Sequence, residues 1–231
     1  MRAIVVGTGR MGTLVRAELA RRGHEVLDSI GAARNPGGAG LTPERLRGAD
    51  VALEFTTADA APGNIERLLH AGVAVVSGTT GCDAELPRLR ALAASGEGAL
   101  LHAANFSIGL QAMLRAAREL ARALAAHPSF EPHLLDVHHR AKRDAPSGTA
   151  LALLRVLEGA AGRAVPVTSV RTGHVPGTHA LTFDGPHESL RLAHEVRDRA
   201  VFAEGAVVAA EWLVGRRGAF GIDDVLAGEA T

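Results

Sequence analysis

The sequence has little that would support a disulfide-bonded, nucleic-acid-binding or membrane-spanning protein. It contains one cysteine, Cys82, in 231 residues, which excludes an internal disulfide and a cysteine-based metal site. Lysine plus arginine number 25, as do aspartate plus glutamate, so no field of one sign would attract nucleic acid or an anionic membrane. No apolar run approaches the roughly 18–20 residues that a membrane helix needs. The chain enters a strand-like run without a signal-peptide pattern, and we expect a cytoplasmic protein with a small-molecule partner.

Short apolar runs alternate with segments of helical periodicity in the first half of the chain. The strand-sized runs cover residues 3–6, 25–30, 51–55, 73–76 and 99–102, and the helix-like stretches cover residues 10–22, 64–70 and 84–94. This alternation predicts an α/β domain whose parallel sheet is covered by helices on both faces. The glycine- and proline-rich segment 31–40 is predicted to be a surface loop, with a disordered insert as the alternative.

The second half has a different pattern. Residues 109–125 are predicted to form one long helix, and residues 132–137, 165–171, 179–183 and 189–196 are predicted strands. This pattern predicts an α+β domain with a mixed or antiparallel open sheet, and such a sheet usually buries its free face against a second copy. A helix over 202–214 is expected to return to the first domain, so we expect one domain from 1–107 with 199–231 and another from 108–198.

A glycine-rich turn follows the first predicted strand and opens the first predicted helix. It fits the G-x-G-x-x-G pattern with Gly7, Thr8, Gly9, Arg10, Met11 and Gly12. In this pattern the first glycine permits a tight turn, the second lets the backbone approach a pyrophosphate, and the third lets helix and strand pack closely. The position predicts a Rossmann-like dinucleotide-binding domain, with a glycine-rich turn that binds no ligand as the alternative.

The acid that usually binds the adenosine ribose is difficult to locate in this sequence. It is normally found near the end of the second strand. Here Asp28 lies inside that predicted strand, and the predicted exit, residues 31–34, contains Arg34 and no carboxylate. An arginine there would favour a 2′-phosphate and therefore NADPH, although use of both NADH and NADPH is equally compatible with these residues.

Two loops at the expected carboxyl ends of strands carry small hydroxyl residues. They are Phe55-Thr56-Thr57 and Gly78-Thr79-Thr80-Gly81. Open α/β sheets bind ligands at this edge, and small residues with free N–H groups suit a flat nicotinamide. Ordinary turns between strand and helix are the alternative. Cys82, beside the second loop, has no neighbour in sequence that would activate it as a nucleophile.

The most informative stretch, residues 136–150, joins a predicted strand to a predicted helix. Its adjacent histidines, His138 and His139, should point to opposite faces of the strand, so we expect no metal site. Ser147 is a good N-cap for the helix that follows it. The N–H groups and hydroxyls of Ser147, Gly148 and Thr149 then predict an anion site at the helix start.

Basic side chains lie close to this helix start along the chain. His139 and Lys142 would supply positive charge or donors to a ligand that carries carboxylates. His138 is then available for proton transfer, since histidine titrates near physiological pH, and Lys142 is the other candidate acid. A pair of structural histidines is the alternative.

The same stretch resembles a family signature at every specified position. Residues 138–150, HHRAKRDAPSGTA, match the signature H-H-x-x-K-x-D-A-P-S-G-T-A of dihydrodipicolinate reductase (4-hydroxy-tetrahydrodipicolinate reductase). The glycine turn at 9–12, G-T-T-G at 78–81, N-F-S-I-G at 105–109 and the segment 198–206 also resemble family motifs. The similarity covers essentially the whole chain.

The resemblance implies a reaction and a set of site residues. The reaction would be reduction of 4-hydroxy-tetrahydrodipicolinate to tetrahydrodipicolinate in lysine and diaminopimelate biosynthesis, by hydride transfer from NADH or NADPH to ring C4 and protonation. His138 and Lys142 would be catalytic, and the second domain would bind substrate and form a homotetramer. The residues implied for the substrate carboxylates are His139, Lys142, Ser147, Gly148 and Thr149. Those implied for the cofactor, besides the glycine turn, are Phe55, Thr56, Gly78, Thr79, Thr80, Ala103, Asn105, Phe106 and Arg199.

Departures from the family pattern are few. Glu54 replaces the usual aspartate before Phe55, Ala104 replaces a frequent proline, and the acid after the second strand is missing or displaced. Only the last is expected to matter, because it bears on cofactor preference. The segment 173–179 contains two histidines and is predicted to be a turn followed by a strand, with a metal site as the alternative.

Two other functions compete with this interpretation. One is a reductase for another small imino or keto acid on a similar fold. A smaller acid, however, would not need a helix start that binds two carboxylates. The other is a regulatory protein that binds the nucleotide without turnover. Such a protein would have no need of His138 and Lys142.

Overall fold

The computed structural model describes residues 1–227 and divides them into two compact units. The first unit begins with residues 1–107 and resumes at Ala200, and the second contains residues 108–199. Each unit has its own sheet and its own hydrophobic core. Within the described residues, no helix has the length and apolar character that crossing a membrane requires.

The first unit is an α/β domain built on six strands. The strands are β1 (Arg2–Val6), β2 (Glu25–Ile30), β3 (Val51–Glu54), β4 (Ala74–Ser77), β5 (Ala99–His102) and, after the second unit, β10 (Gly218–Phe220). The helices are α1 (Arg10–Arg21), α2 (Pro43–Leu46), α3 (Ala61–His70), α4 (Leu86–Leu92), α7 (Ala200–Leu213) and α8 (Ile222–Leu226). The sheet order is β10-β5-β4-β3-β1-β2, with every pair parallel. The predicted Rossmann-like fold class is therefore confirmed.

Burial explains why the strands of this sheet are continuous apolar runs. Every residue of β3, β4 and β5 is buried, as parallel strands covered on both faces require. Helix α1 turns Val15 and Leu19 toward the sheet, and helix α3 does the same with Ile65 and Leu68. Helix α7 is buried over most of its length. The core consequently lies on both sides of the sheet, and the loops at the carboxyl ends of the strands remain at the surface.

The first unit differs from the sequence-based expectation in the segment 31–40, in strand β10, and in the short helices α2 and α8, which were not predicted. The segment 31–40 is a mostly exposed loop, but it contains two short 3₁₀ turns (Ala32–Arg34 and Pro36–Gly38), and Asn35 Oδ1 accepts the N–H of Gly40 at 3.0 Å. Strand β10 was not predicted at all. It has three residues and pairs only with β5 at the sheet edge, so its sequence shows no alternation that could identify it.

The second unit is an α+β domain with four strands. Its helices are α5 (Ile108–Leu124) and α6 (Gly148–Ala161), and its strands are β6 (Glu131–His138), β7 (Val167–Arg171), β8 (Thr178–Asp184) and β9 (Ser189–Glu195). The order is β7-β6-β8-β9; β6 and β7 are parallel and the other pairs are antiparallel. The prediction of a mixed open sheet is confirmed.

Both helices of this unit pack on one face of its sheet. Leu134, Leu181 and Phe183 point into a core that α5 and α6 complete with Met113 and Leu153. Each fully buried large side chain of this kind contributes about 1.5–3 kcal/mol relative to exposure. The opposite face of the sheet carries half-buried and exposed residues.

Candidate active site

Close backbone packing accounts for the first and third glycines of the turn between β1 and α1. Gly7 has a φ of +104°, and a Cβ added there would lie 2.1 Å from the carbonyl oxygen of Phe55. A Cβ on Gly12 would lie 1.9 Å from the carbonyl oxygen of Gly7. Both distances are far below van der Waals contact. The turn therefore requires glycine at these two positions for its own packing.

Gly9, in contrast, has no packing requirement. A Cβ there would meet nothing within 4 Å, and Thr8, Gly9 and Arg10 are exposed while Met11 is half-buried. Gly9 is the N-cap of α1, and its position provides no side-chain capping hydrogen bond to the helix N-terminus. An open position at a helix N-terminus fits a pyrophosphate that is approached by backbone N–H groups. These residues therefore suit a dinucleotide.

A buried glutamate connects the two loops that carry hydroxyl residues. Glu54, the last residue of β3, is 0% exposed. Its carboxylate accepts hydrogen bonds from the hydroxyls of Thr56, Ser77 (2.8 Å) and Thr79 (2.8 Å). Thr79 Oγ1 in turn accepts the N–H of Thr56 at 2.8 Å. Glu54, to which the sequence assigned no consequence, holds the two loops in one arrangement.

The other residues expected at the cofactor lie around these two loops. The rings of Phe55 and Phe106 are in contact, with centroids 6.0 Å apart. Phe106 and Ala103 are buried, and the N–H of Ala103 donates to Ser77 O at 3.2 Å. Asn105 accepts the N–H of a neighbouring serine through its side chain, Gly78 is half-buried and Thr80 is exposed. The carboxyl ends of β3, β4 and β5 thus bring most of the predicted set together.

The acid expected after the second strand is displaced into that strand and paired with Arg34. A shift in the register of β1 against β2 lets Ala3 face Val26 and Ile4 face Asp28. The carboxylate of Asp28 accepts Nη1 and Nη2 of Arg34 at 2.9 and 2.8 Å. These hydrogen bonds lower the pKa of Asp28. An acid and an arginine therefore both lie at the adenosine end of the expected site.

Alternation along β6 decides which side chains meet in the second unit. Leu134, Asp136 and His138 are buried on the same side of the strand, while Leu135 and Val137 are half-buried on the other. The strand register then places His179 of β8 opposite Asp136, and Arg171 of β7 opposite His138. The sheet thus assembles a polar cluster at one end of an otherwise apolar face.

One oxygen of the Asp136 carboxylate receives three donors. Asp136 is 0% exposed, and its Oδ2 accepts Nη2 of Arg171 at 2.8 Å, the N–H of Ser147 at 2.9 Å and the hydroxyl of Ser169 at 3.0 Å. Burial by itself raises the pKa of this carboxyl. The donors, with Arg171 foremost, outweigh burial and hold the pKa of Asp136 far below its usual range. Asp136 is therefore a fixed buried anion.

The other oxygen, Oδ1, faces two histidines. It lies 2.9 Å from His138 Nδ1 and 3.3 Å from His179 Nε2, and the two rings meet edge to face at 5.2 Å. The contact with His138 has the distance of an ion pair, but its angle is outside hydrogen-bond geometry. Burial lowers the pKa of His138, and it lowers the pKa of His179 to about 4, although the Asp136 carboxylate opposes both changes. The His179 imidazole is therefore neutral at neutral pH, and the His138 imidazole gives up its proton more readily than a free histidine does.

The same three side chains present donor atoms that would suit a metal ion by distance alone. One atom from each of Asp136, His138 and His179 lies within 4.8 Å of the others. Arg171 already places a positive charge on the carboxylate. We therefore assign the cluster to hydrogen bonding and proton chemistry.

Helix α6 begins beside this cluster. Ser147 is its N-cap, as predicted, and Ser147 Oγ accepts the N–H of Ala150 at 3.1 Å and contacts His179 Nε2 at 3.1 Å. Gly148 is exposed, Thr149 is half-buried, and the first turn contains no acidic residue. The helix start thus offers N–H groups and a hydroxyl to an anion.

The remaining predicted residues are His139 and Lys142, in the loop before α6, and Arg199 at the end of the second unit. Lys142 Nζ lies 2.7 and 2.9 Å from the carboxylate oxygens of Asp144. His139 follows the end of β6, is half-buried, and donates its N–H to Val175 O at 2.8 Å. Arg171 Nη2 donates to Asp144 O at 2.7 Å, so the arginine that holds Asp136 also holds this loop. Arg199 is exposed and is the last residue of the second unit.

Three residues of this arrangement were missed by sequence reasoning. Asp136 is the first residue of the stretch 136–150, but no role was predicted for it. Its position two residues before His138 in a strand nevertheless indicates that both side chains share a face. Arg171 and His179 lie on other strands, and no local spacing points to them. Strand register alone brings them to the site.

Together, a glycine-turn α/β domain and a second domain in which a buried histidine and a buried carboxylate lie beside a serine-capped helix start are typical of a nicotinamide-dinucleotide-dependent oxidoreductase. Comparison with known proteins identifies the family. The model described as "Dihydrodipicolinate reductase, N-terminus" matches residues 1–106, and that described as "Dihydrodipicolinate reductase, C-terminus" matches residues 109–226. The chain therefore belongs to the dihydrodipicolinate reductase family, and its cofactor is a nicotinamide dinucleotide.

Individual relatives agree with the family models. The 4-hydroxy-tetrahydrodipicolinate reductase of Natronomonas pharaonis is 38% identical over 243 residues, covering 94% of this chain and 96% of that protein. The structure of a dipicolinate-bound dihydrodipicolinate reductase from Paenisporosarcina sp. TG-14 has a TM-score of 0.81 at 22% identity, covering 96% of this chain and 97% of that chain. The DAP dehydrogenase of C. glutamicum in complex with DAP has a TM-score of 0.54 at 14% identity, covering 99% and 96%. The last two comparisons show a shared fold.

Proposed function

We propose that this protein catalyses the NAD(P)H-dependent reduction of 4-hydroxy-tetrahydrodipicolinate to tetrahydrodipicolinate in diaminopimelate and lysine biosynthesis, with the C4 hydroxyl leaving as water to give dihydrodipicolinate, the species that accepts the hydride and the proton. The observation that carries the proposal is the arrangement of residues 138–150 around Asp136. This arrangement gathers an acid–base histidine and a serine-capped helix start at one buried carboxylate. A cyclic imine with two carboxylates needs both features, because reduction consumes a proton and the carboxylates need an anion site.

The first unit supplies the cofactor site in this proposal. Backbone N–H groups at Gly9 and the start of α1 would bind the pyrophosphate, and the loops at Phe55–Thr56 and Gly78–Thr80 would bind the nicotinamide end. Ala103, Asn105 and Phe106 complete the proposed set from the first unit, and Arg199, the last residue of the second unit, is the remaining proposed cofactor residue. When bound, the reduced nicotinamide supplies the hydride. Glu54 supports the site indirectly, since it fixes the hydroxyls of both loops.

The second unit supplies the substrate site and the proton. His139, Lys142, Gly148 and Thr149 would hold the substrate carboxylates through charge and N–H or O–H donors. Ser147, the other proposed residue, would support them as the helix cap, since its N–H already donates to Asp136. Lys142 is already ordered by Asp144, and a substrate carboxylate at the same ammonium would complete its hydrogen bonds. His138 and Lys142 are the proposed acids for the protonation step.

We propose that the enzyme accepts both NADH and NADPH. Asp28 would accept ribose hydroxyls and Arg34, to which it is hydrogen-bonded, would receive a 2′-phosphate. The exit of β2 is close to the glycine turn, since a Cβ on Gly31 would lie 2.5 Å from Thr8 Oγ1. In this proposal Asp28 would bind NADH through its ribose hydroxyls, and Arg34 would bind NADPH through its 2′-phosphate.

We also propose a cytoplasmic homotetramer with dinucleotide binding in residues 1–107 with 199–231 and substrate binding in residues 108–198. The support for assembly is the face of the second sheet that its helices leave uncovered. Leu135 and Val137 are half-buried there, and their neighbour Val170 is 36% exposed. An apolar sheet face of this kind is commonly covered by a second copy.

The direct test is a coupled assay. A synthase generates the substrate from aspartate semialdehyde and pyruvate, and oxidation of NADH or NADPH is followed by absorbance. Rapid oxidation that requires the synthase supports the proposal and ranks the two cofactors. Cofactor binding without oxidation would instead favour another small-acid reductase or a nucleotide-sensing protein.

A further inference from the structure

We propose that Asp136 is the positioning residue of the acid–base group: its Oδ1 orients the His138 ring through Nδ1, so that Nε2 is the nitrogen that exchanges the proton with substrate. This inference rests on the proposed function. It adds a residue outside the signature stretch that begins at His138, and it assigns different tasks to the two ring nitrogens of His138.

The two oxygens of the Asp136 carboxylate have separate surroundings. Oδ2 is held by Arg171, Ser147 and Ser169 at 2.8 to 3.0 Å, which leaves no freedom for the carboxylate to rotate. Oδ1 is left to face His138 Nδ1 at 2.9 Å, and His179 Nε2 lies farther from it at 3.3 Å. A carboxylate that is anchored on one side and presented on the other can hold an imidazole in one tautomer, with the proton on Nδ1. The bent contact seen in the free protein is of the kind that straightens when substrate binds.

Surroundings of the second nitrogen agree with this assignment. An ideal Cβ on Gly177 would lie 3.0 Å from His138 Nε2, so the absence of a side chain at this position keeps that nitrogen uncovered. Gly177 has no positive φ that would require glycine for its backbone. Glycine at this position therefore keeps side-chain atoms away from the Nε2 edge of the ring, from which a ligand would have to approach.

Charged and titratable groups from each neighbouring element act on His138. Asp136 on β6 raises the pKa of the imidazole, whereas Lys142 in the loop and Arg171 on β7 lower it, and burial lowers it most. His179 on β8 contributes an edge-to-face ring contact. Removing the Asp136 charge should therefore lower the pKa of His138 further and leave less of the protonated acid at a given pH.

Asp136→Asn is the sharpest variant. An asparagine keeps one oxygen for Arg171 and Ser147 but replaces the oxygen at His138 with an amide NH₂. That group donates to Nδ1 and reverses the tautomer. We expect kcat to fall about a hundredfold while KM changes less than about threefold. The alkaline limb of the kcat/KM profile should move to lower pH by about one unit.

Three further variants separate positioning from folding. Asp184→Asn, the same substitution at the exposed end of β8, is the matched control and should leave both kcat and the pH profile unchanged. Asp136→Glu keeps the charge, so the alkaline limb should stay in place even where the longer side chain reduces kcat. Gly177→Ala should reduce kcat at least about tenfold without moving the limb, because a methyl group covers Nε2. If Asp136→Asn does not fold, the last two variants still test the inference.

The ring-nitrogen chemical shifts of His138, measured by NMR and assigned with His138→Ala, test the inference without turnover. The wild type should show the proton on Nδ1 and Asp136→Asn should show it on Nε2, together with a lower pKa. The inference would be overturned if Asp136→Asn kept the wild-type kcat. It would also be overturned if kcat fell while the alkaline limb of the kcat/KM profile and the ring-nitrogen chemical shifts of His138 stayed unchanged. A wild-type protein that fails to oxidise NAD(P)H but shows these NMR changes would refute the proposed function and leave the positioning of His138 intact.

Discussion

Stability of the second unit should depend on pH through His179, and the structure gives the size of the effect. His179 is 3% exposed and lies against Ser147 Oγ and the Asp136 carboxylate. Burial lowers its pKa from 6.5 to about 4, even though the Asp136 charge opposes the change. The folded protein therefore prefers the neutral ring. The unfolded chain binds a proton first as the pH falls.

The free energy follows from the two pKa values. Above pH 6.5 both states are neutral at this residue and its full contribution to stability is present. Between pH 6.5 and about 4 the unfolded state gains a proton that the folded state lacks, so the free energy of unfolding decreases as the pH is lowered. A pKa difference of this size is worth about 3 kcal/mol once the pH is below both values.

The assay is urea unfolding of wild type and His179→Gln at one protein concentration, from neutral pH down to about pH 4. Wild type should lose about 3 kcal/mol more than the variant over this range. His187→Gln, at an exposed histidine in the β8–β9 turn, is the control and should follow wild type. A stability difference between wild type and His179→Gln that stays constant with pH would refute the reasoning.

The remaining predictions concern the active site. Gly9→Ala should fold normally, because its Cβ meets nothing, but it should raise the Kd for NAD(P)H at least about tenfold in a cofactor titration. Gly12→Ala should instead lower the Tm measured by calorimetry, because its Cβ collides with the backbone. His138→Ala and Lys142→Ala should each reduce kcat about a hundredfold with cofactor binding retained, and near-wild-type turnover in both would contradict the assigned roles. Arg34→Ala should weaken NADPH binding more than NADH binding; equal loss for both would exclude a 2′-phosphate contact.

Local sequence patterns predicted the strands and helices well where burial is regular. β2 and β5 begin and end where the apolar runs indicated, and the helix after the glycine turn differs by one residue at its end. The edge strand β10 was not predicted, because three residues at a sheet edge have no periodicity to detect. The loop at 31–40 was placed correctly at the surface, but its two 3₁₀ turns, closed by backbone hydrogen bonds, and the side-chain bond from Gly40 to Asn35 were not predicted.

Two acids illustrate what local patterns leave out. Asp28 was difficult to interpret because a register shift against β1 and a bidentate pair with Arg34 define its position, and neither can be seen in a linear pattern. Glu54 was set aside as a conservative replacement. Its importance comes from hydroxyls on two different loops that converge on its carboxylate, one of them Thr79, 25 residues away.

The sequence by itself determined the chemistry that is available: a glycine turn after a strand, a serine that caps a helix, and the histidines and lysine of one continuous stretch. These features are local, because turn and cap geometry depend on a few adjacent residues. Only the tertiary structure decided which carboxylate, arginine and second histidine surround His138. Strand register places His179 opposite Asp136 from 43 positions away. Burial there then sets the charge of each group, and burial is a property of the packed sheet and its helices.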